Sequence, residues 1–386
     1  MKYDFDQIIN REGYSTVKYD LREVIFNEKD IIPLWVADMD FATAPEIVDA
    51  LQKRVSHPIY GYTLQNDEFW NAIINWTYKR HQWKVIKNEL VFVPGIVPGL
   101  GMLVQALTNV NDKVALFSPV YPPFYENIEK NKRELVNIPL INNDNYYSID
   151  FGTFEDELKK GCKLLMFCNP HNPSGRVWKK EELEKLLDLC DQYDCNIISD
   201  EIHADLTLFG NKHVPFASLS AIAEKRVITC MAPSKTFNLA GLNCAYLIFK
   251  NPKIKSLYLD EVKHMHLDFG GTIGTEALKA AYNHGEDWYQ ELLKYIEGNI
   301  KYVQEELKDT PIKIMPIEAT YLLWLDCRGI NESASMIVNF FHQKAKVGVQ
   351  DGRHFGYTGA GFMRLNTACP RSVLEEAIKR IKGNLE

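Results

Sequence analysis

The chain has 386 residues but only eight cysteines, and no two of them form a Cys-x-x-Cys pair. That excludes a disulfide scaffold and argues against a structural zinc site, so Cys168, Cys230 and Cys244, inside apolar runs, read as small buried hydrophobes. Long hydrophobic runs are missing as well. Val114 to Phe117 and Leu164 to Cys168 are typical of what is present, far short of the about 20 residues a membrane-spanning helix needs. The first eleven residues contain Asp4, Asp6 and Arg11 and lack the continuous apolar core of a secretory signal, so the chain is expected to be cytoplasmic. No basic block interleaved with aromatics occurs, and 44 Lys plus Arg against 51 Asp plus Glu leaves a net charge of -7. Nucleic acid is therefore not an expected partner. A GxGxxG fingerprint and a GK[ST] loop are both absent, which removes the usual dinucleotide and nucleoside-triphosphate signatures. There is no internal repeat and no Gly/Ser linker, so any domains should pack against one another.

The composition that remains, 46% hydrophobic and 25% charged, is that of a globular chain, and its length suggests two or three domains. Between residues 89 and 250, short apolar runs alternate with helical patterns: Glu89 to Val93, Lys113 to Phe117, Lys163 to Phe167, Asn196 to Ser199, Arg226 to Cys230 and Ala245 to Phe249. Continuous apolar strands separated by helices predict an α/β fold with a mostly parallel sheet covered on both faces. Leu183, Leu186, Leu187 and Cys190 recur at helical spacing and predict a buried stripe. After residue 285 a long helical pattern, a strand-like Thr320 to Leu325 and a last helix predict a smaller α+β domain. The last helix runs on Leu374, Ala377, Ile378 and Ile381, with Pro370, Ser372 and Glu375 as an expected capping box. The expected division is a large domain over 47–284 and a small one built from 1–46 and 285–386.

In open α/β sheets, chemistry collects at the carboxyl ends of the strands. The residues following three of these runs are Asn169-Pro170-His171-Asn172-Pro173-Ser174-Gly175, Asp200-Glu201-Ile202-His203 and Ser234-Lys235-Thr236. Taken singly, a lysine and a carboxylate at strand ends are as readily an ion pair. Together with an amide and an imidazole on the same rim they suggest more, because a lysine amine can form a Schiff base, and a pyridoxal cofactor needs that amine plus an acid to keep its ring nitrogen protonated. Its phosphate needs backbone donors at a helix start, and Pro94 to Gly99 supplies such a turn. His264 and His266 would lie about 200° apart on a helix and could not share a metal.

Five motifs in order, Pro33-Leu34-Trp35-Val36-Ala37-Asp38-Met39-Asp40-Phe41, Tyr60-Gly61-Tyr62, the Asn169 to Gly175 run, Asp200 to His203 and Ser234 to Leu242, resemble the fold-type I pyridoxal-phosphate enzymes of the class I/II aminotransferase superfamily. Within them the chain is similar to the carbon-sulfur β-lyases of the MalY/PatB type, over essentially its whole length. The resemblance implies a large domain with a seven-stranded, mostly parallel sheet, a smaller α+β domain, pyridoxal 5'-phosphate as cofactor, a small sulfur amino acid as substrate and a homodimer. It implies Lys235 as the Schiff-base lysine and the base at Cα, Asp200 at the pyridinium nitrogen, Asn172 and His203 at the ring hydroxyl, and Tyr121 stacked on the ring. Ile96, Val97 and Ser234 fall at the phosphate, joined by Tyr60 from a neighbouring subunit. Arg364 would clamp the substrate carboxylate, aided by Asn172 and Val36, its planar fork suiting a carboxylate.

Two positions depart from the aminotransferase pattern: Asn243 stands where many relatives carry a phosphate-binding arginine, and Ala232 where a serine is common. The implied reaction is β-elimination from L-cystathionine or a related cysteine S-conjugate, giving a thiol, pyruvate and ammonia. The rivals are an aminotransferase, which would need a 2-oxo acid, and a regulator that binds a transcription factor.

Overall fold

The apolar runs between residues 89 and 250 assemble into one seven-stranded sheet in the computed structural model, which describes residues 2–265, 267 and 270–385. Its strands are β1 (Leu90–Val93), β2 (Lys113–Ser118), β3 (Glu134–Pro139), β4 (Leu164–Cys168), β5 (Asn196–Asp200), β6 (Val227–Met231) and β7 (Ala245–Phe249). The spatial order is β1-β7-β6-β5-β4-β2-β3. β7 is antiparallel to both neighbours, and the remaining pairs are parallel. Every residue of β1, β4, β6 and β7 is buried, because helices cover both faces and successive side chains enter opposite cores. Leu90 and Phe92 join one apolar cluster, Val91 and Val93 the other.

Of the two edge strands, β1 is apolar throughout and β3 is the one without a continuous apolar run. Val136 and Ile138 are buried, whereas Leu135 and Asn137 are half-buried and Glu134 is exposed, the alternation of a strand with one face against the core and the other only partly covered. The helix Lys180–Gln192 buries the expected stripe of Leu183, Leu186, Leu187 and Cys190. The last helix, Arg371–Gly383, buries Leu374, Ala377, Ile378 and Ile381. Its expected capping box does not form. Pro370 occupies the N-cap and has no side-chain acceptor, and Ser372 is already inside the first turn. Most of the turn expected over Pro94 to Gly99 is already helix, which starts at Ile96 with Gly95 as its N-cap. His264 is exposed near the end of the helix Pro252–Met265; His266 lies outside the described residues.

A second, antiparallel sheet follows: β8 (Lys313–Ile314), β9 (Leu322–Asp326), β10 (Gln350–Asp351) and β11 (Phe362–Asn366), in the order β8-β9-β11-β10. The long helix Glu286–Leu307 is tied to the exit of β11 through Asn299, whose amide donates to the carbonyls of Thr367 and Cys369 at 2.8 and 2.9 Å. The N-terminal part of the chain joins this half, since Ile32–Pro33 pairs in parallel with Val347–Gly348.

The two sheets are stitched at Gly175, where the loop after β4 meets the approach to β9. The Gly175 carbonyl accepts from the backbone amides of Glu318 and Ala319 at 3.0 and 2.8 Å. Its φ is +71°, and a Cβ there would stand 2.8 Å from Ile317 Cγ1 and 2.9 Å from the Ala319 carbonyl oxygen. Both backbone conformation and space demand glycine. Gly175→Ala is expected to destabilise the protein by about 1–3 kcal/mol, read as a lower urea midpoint at fixed cofactor concentration.

Candidate active site

Parallel strands β4, β5 and β6 end side by side, so the segments that leave them converge. From β4 comes Asn172, from β5 Asp200 and then His203, and from β6 Ala232, Ser234 and Lys235. The start of the helix Ile96–Leu107 closes one end. A cavity of about 250 Å³ lies between them, lined by these residues with Gly95, Ile96, Val97, Tyr121, Cys168, Asn243 and Ala37. Of the eleven site residues expected from the sequence, nine are in direct contact with this cavity or hydrogen-bonded to its wall: Lys235, Asp200, Asn172, His203, Tyr121, Ile96, Val97 and Ser234 line it, and Arg364 bonds to Asn172. His171, from the same loop, turns away. Its Nδ1 meets Ser174 Oγ at 2.7 Å and its ring packs on Trp178.

The electrostatics of the cavity are set by burial. Lys235 Nζ donates to the Ala37 carbonyl at 2.6 Å, and its pKa falls to about 8, first from burial and then from the Arg364 charge, against the opposing pull of Asp38 and Asp200. Burial pushes the Asp200 carboxyl up to about 7, although the Ile202 amide donates to its Oδ1 at 3.2 Å. His203 is held neutral, its pKa lowered to about 3 by burial and then by the Lys235 charge, and its Nδ1 is buried without a hydrogen-bond partner.

Arg364 arrives from β11 in the second sheet. Nη1 donates to Asn172 Oδ1 at 3.0 Å and Nη2 to the Trp35 carbonyl at 2.9 Å, while Nε is buried and unpartnered. The guanidinium lies 4.8 Å from the centre of the Phe355 ring, and its pKa is lowered to about 10 by burial. This fork is held by neutral acceptors and keeps its charge for an anion.

Two expected residues are elsewhere. Val36 lines an adjoining cavity of about 630 Å³ that shares Ala37 and Lys235 with the first. Tyr60 is 56% exposed, donates its hydroxyl to the Val55 carbonyl at 2.6 Å, and lies in a separate groove with Thr63, Gly270 and Gly271. Asn238, Tyr321 and Asn366 are not among the residues expected from the sequence. Tyr321 joins Lys235 on the Ala37 carbonyl, at 3.0 Å. Asn238 receives the Met39 amide at 2.9 Å and donates to Met39 and Phe41 carbonyls. Asn366 donates to the carbonyls of Val36 and Asp38 at 2.7 and 2.6 Å. The available signal was the Trp35 to Phe41 run itself, which has neither helical nor strand period and so needs side-chain partners for its backbone.

The residues fit pyridoxal phosphate. A helix start offers amide donors for a phosphate, Asp200 is a buried acid without a cationic contact of its own, His203 Nδ1 is an orphaned polar atom, and Lys235 is an amine of lowered basicity. Asn243 and Ala232, the two departures, both border this cavity.

A model of the family "Aminotransferase class I and II" matches residues 29–381. Cystathionine beta-lyase PatB of Bacillus subtilis is 40% identical over 385 residues, covering 99% of this chain and 100% of that protein. Among solved structures, cystalysin from Treponema denticola, which contains pyridoxal 5'-phosphate, is 35% identical with a TM-score of 0.97, over 100% of this chain and 99% of that one. The pyridoxal-phosphate-bound C-S lyase of Staphylococcus hominis is 34% identical with a TM-score of 0.91, over 99% and 98%.

The raised Asp200 pKa gives a signed expectation for the cofactor-free protein. Between the unfolded carboxyl's value of 3.8 and about 7, the native state binds more protons than the unfolded state, so this group's contribution to stability falls as pH rises through that window. Asp200→Asn removes the titration. Its urea midpoint relative to wild type is therefore expected to be higher at pH 7.5 than at pH 5; an unchanged difference would mean that Asp200 is not buried as a neutral acid.

Proposed function

The chain belongs to the class I and II aminotransferase family, and from that premise we propose that it is a pyridoxal-phosphate-dependent carbon-sulfur β-lyase that splits L-cystathionine or related cysteine S-conjugates into a thiol, pyruvate and ammonia. The observation that carries this reading is the convergence of a buried Lys235, a buried Asp200 and an anion-seeking Arg364 on one cavity, in a chain 40% identical to a cystathionine β-lyase.

Ile96, Val97 and Ser234 would hold the phosphate, Tyr121 the face of the ring, Asp200 its nitrogen, and Asn172 with His203 its hydroxyl. Pyridoxal phosphate, when bound, supplies a carbonyl for the substrate amine and a ring that accepts the electron pair left at Cα. Arg364 fixes the substrate carboxylate, with Asn172 bracing the guanidinium and Val36 bordering the adjoining space. Lys235 takes the Cα proton. Its pKa of about 8 leaves about a tenth of the amine neutral at pH 7, far more than an ordinary lysine keeps, and neutral amine is the state a general base requires. The Ala37 carbonyl, shared by Lys235 and Tyr321, holds Nζ at one point of the cavity. Loss of the proton expels the β-thiolate, and water converts the remaining unsaturated amine to pyruvate and ammonia.

The functional unit in this reading is a homodimer. Ile59, Tyr60 and Leu64 form an apolar, exposed edge at 67, 56 and 75%, and Tyr60 there is free of the cavity of its own subunit, as a residue serving a neighbour would be. The large unit spans 47–284 and the small one 1–46 with 285–386. We place the protein in the cytoplasm, where its eight free thiols stay reduced; no helix among the described residues is long and apolar enough to cross a membrane.

With pyridoxal phosphate present and no 2-oxo acid added, the purified protein is expected to release pyruvate and ammonia from L-cystathionine. In Lys235→Ala, kcat should fall by about 10³-fold or more. Absence of pyruvate, with a new amino acid formed only when a 2-oxo acid is supplied, would replace the lyase by an aminotransferase. Tyr60→Phe should weaken cofactor retention during dialysis while leaving the dimer intact in sedimentation.

A further inference from the structure

The adjoining cavity of about 630 Å³ begins at Lys235, Asn238 and Ala240, passes along Val36 to Ala42, and is bounded on its outer side by Ile9, Arg11 and Ser15 to Val17. That outer side is made by the N-terminal segment, which is not a loose tail. Residues 11–20 form a tight bend: the amides of Gly13 and Thr16 donate to the Asp20 carboxylate at 3.0 and 2.7 Å, and Thr16 Oγ1 donates to the Arg11 carbonyl at 3.2 Å. Four charges then fasten the bend to the run that covers Lys235. Arg11 donates to Asp38 Oδ2 and to Asp40 Oδ1, each at 2.6 Å, and Lys18, fully buried, donates to Asp40 Oδ2 at 2.7 Å. The indole of Trp35 donates to the Lys18 carbonyl at 3.1 Å.

Arg11, Asp38 and Asp40 line this cavity and are paired with one another and with the fully buried Lys18, while Lys235 lines its inner end. The apolar side chains that the bend itself adds to the lining are Ile9 and Val17. Ile9 and Val17 are 38 and 56% exposed, apolar surface that contact with a ligand would take out of water. On the lyase reading, the first cavity takes the cofactor, and the second, which shares Ala37, Lys235 and Ala240 with it, is the adjoining space that a sulfur substituent of a substrate at Lys235 would enter.

We propose that the bend over residues 9–20 is the specificity-determining wall of the substrate mouth, that Ile9 and Val17 contact the substituent on the departing sulfur, and that Arg11 is the positioning residue that latches this wall to Asp38 and Asp40. The preferred substrates are then cysteine thioethers with an extended, apolar portion next to sulfur.

The inference rests on the lyase reading, and the experiment separates the two. Pyruvate release by the holoenzyme is measured for S-methyl-L-cysteine and S-benzyl-L-cysteine. In Val17→Trp, the ratio of kcat/KM for the benzyl over the methyl substrate is expected to fall by about tenfold, the range one altered pocket contact commands, carried by KM of the larger substrate. A ratio within about twofold of wild type overturns the wall. In Arg11→Gln, amide hydrogen exchange over residues 13–20 should quicken by about tenfold or more, and Arg11→Lys should restore most of the protection; unchanged exchange in Arg11→Gln overturns the latch. Pyruvate from neither substrate nor L-cystathionine with the wild type defeats the lyase reading, while the exchange result still decides the latch.

Discussion

The backbone of residues 35–41 has to satisfy its hydrogen bonds without a helix or a sheet, and this requirement organises the site. Six of its carbonyls are taken by side chains: Trp35 by Arg364, Val36 by Asn366, Ala37 by Lys235 and Tyr321, Asp38 by Asn366, Met39 by Arg11 and Asn238, and Phe41 by Asn238. A buried carbonyl left unpaired costs about 1–3 kcal/mol, so these side chains are pinned by the same bonds that let the run cross between the two sheets. Arg364 and Lys235 come from different sheets, and the run holds both. The site is therefore assembled across the molecule by backbone satisfaction as much as by direct contact between its members.

That arrangement explains what could be read from the sequence and what could not. Strands β1, β2, β4, β5, β6 and β7 announce themselves because burial on both faces leaves an uninterrupted apolar run. β3, only partly covered on one face, is half polar and shows only its alternation at Val136 and Ile138. The strand-end residues Asn172, Asp200, Ser234 and Lys235 were legible because parallel strands bring their carboxyl ends together whatever the loop details. The capping box at Pro370 was misplaced because a three-residue spacing of Ser372 and Glu375 is satisfied equally well inside a first turn, where Ser372 is found.

The N-terminal charges were least legible. Arg11 and Lys18 stand in an exposed-looking, mixed sequence, and their partners Asp38 and Asp40 are about twenty or more residues away. Ion pairs across such distances leave no periodic trace. Lys18 in particular occupies a position with no exposed surface, which a lysine tolerates only when a carboxylate is built for it. The Asp-x-Asp spacing of Asp38 and Asp40 is the residue-level hint, since two carboxylates so close in an irregular buried run repel unless cations are supplied.

The same reasoning accounts for the opposite shifts of Lys235 and Asp200. Both are buried in one cavity, and each is driven towards its neutral form, to about 8 and about 7. Their mutual attraction opposes both shifts but is outweighed by burial, and no ion pair joins them: Lys235 donates to the Ala37 carbonyl and Asp200 accepts from the Ile202 amide. A ligand bringing a basic ring nitrogen and an anionic phosphate supplies the missing counter-charges at Asp200 and at the start of the helix Ile96–Leu107. Binding and folding are then linked, because a group that binds the native state alone adds to its stability in proportion to the logarithm of its concentration over its dissociation constant. The cavity costs the cofactor-free fold something, and that cost is recovered as affinity for the molecule whose chemistry the site needs.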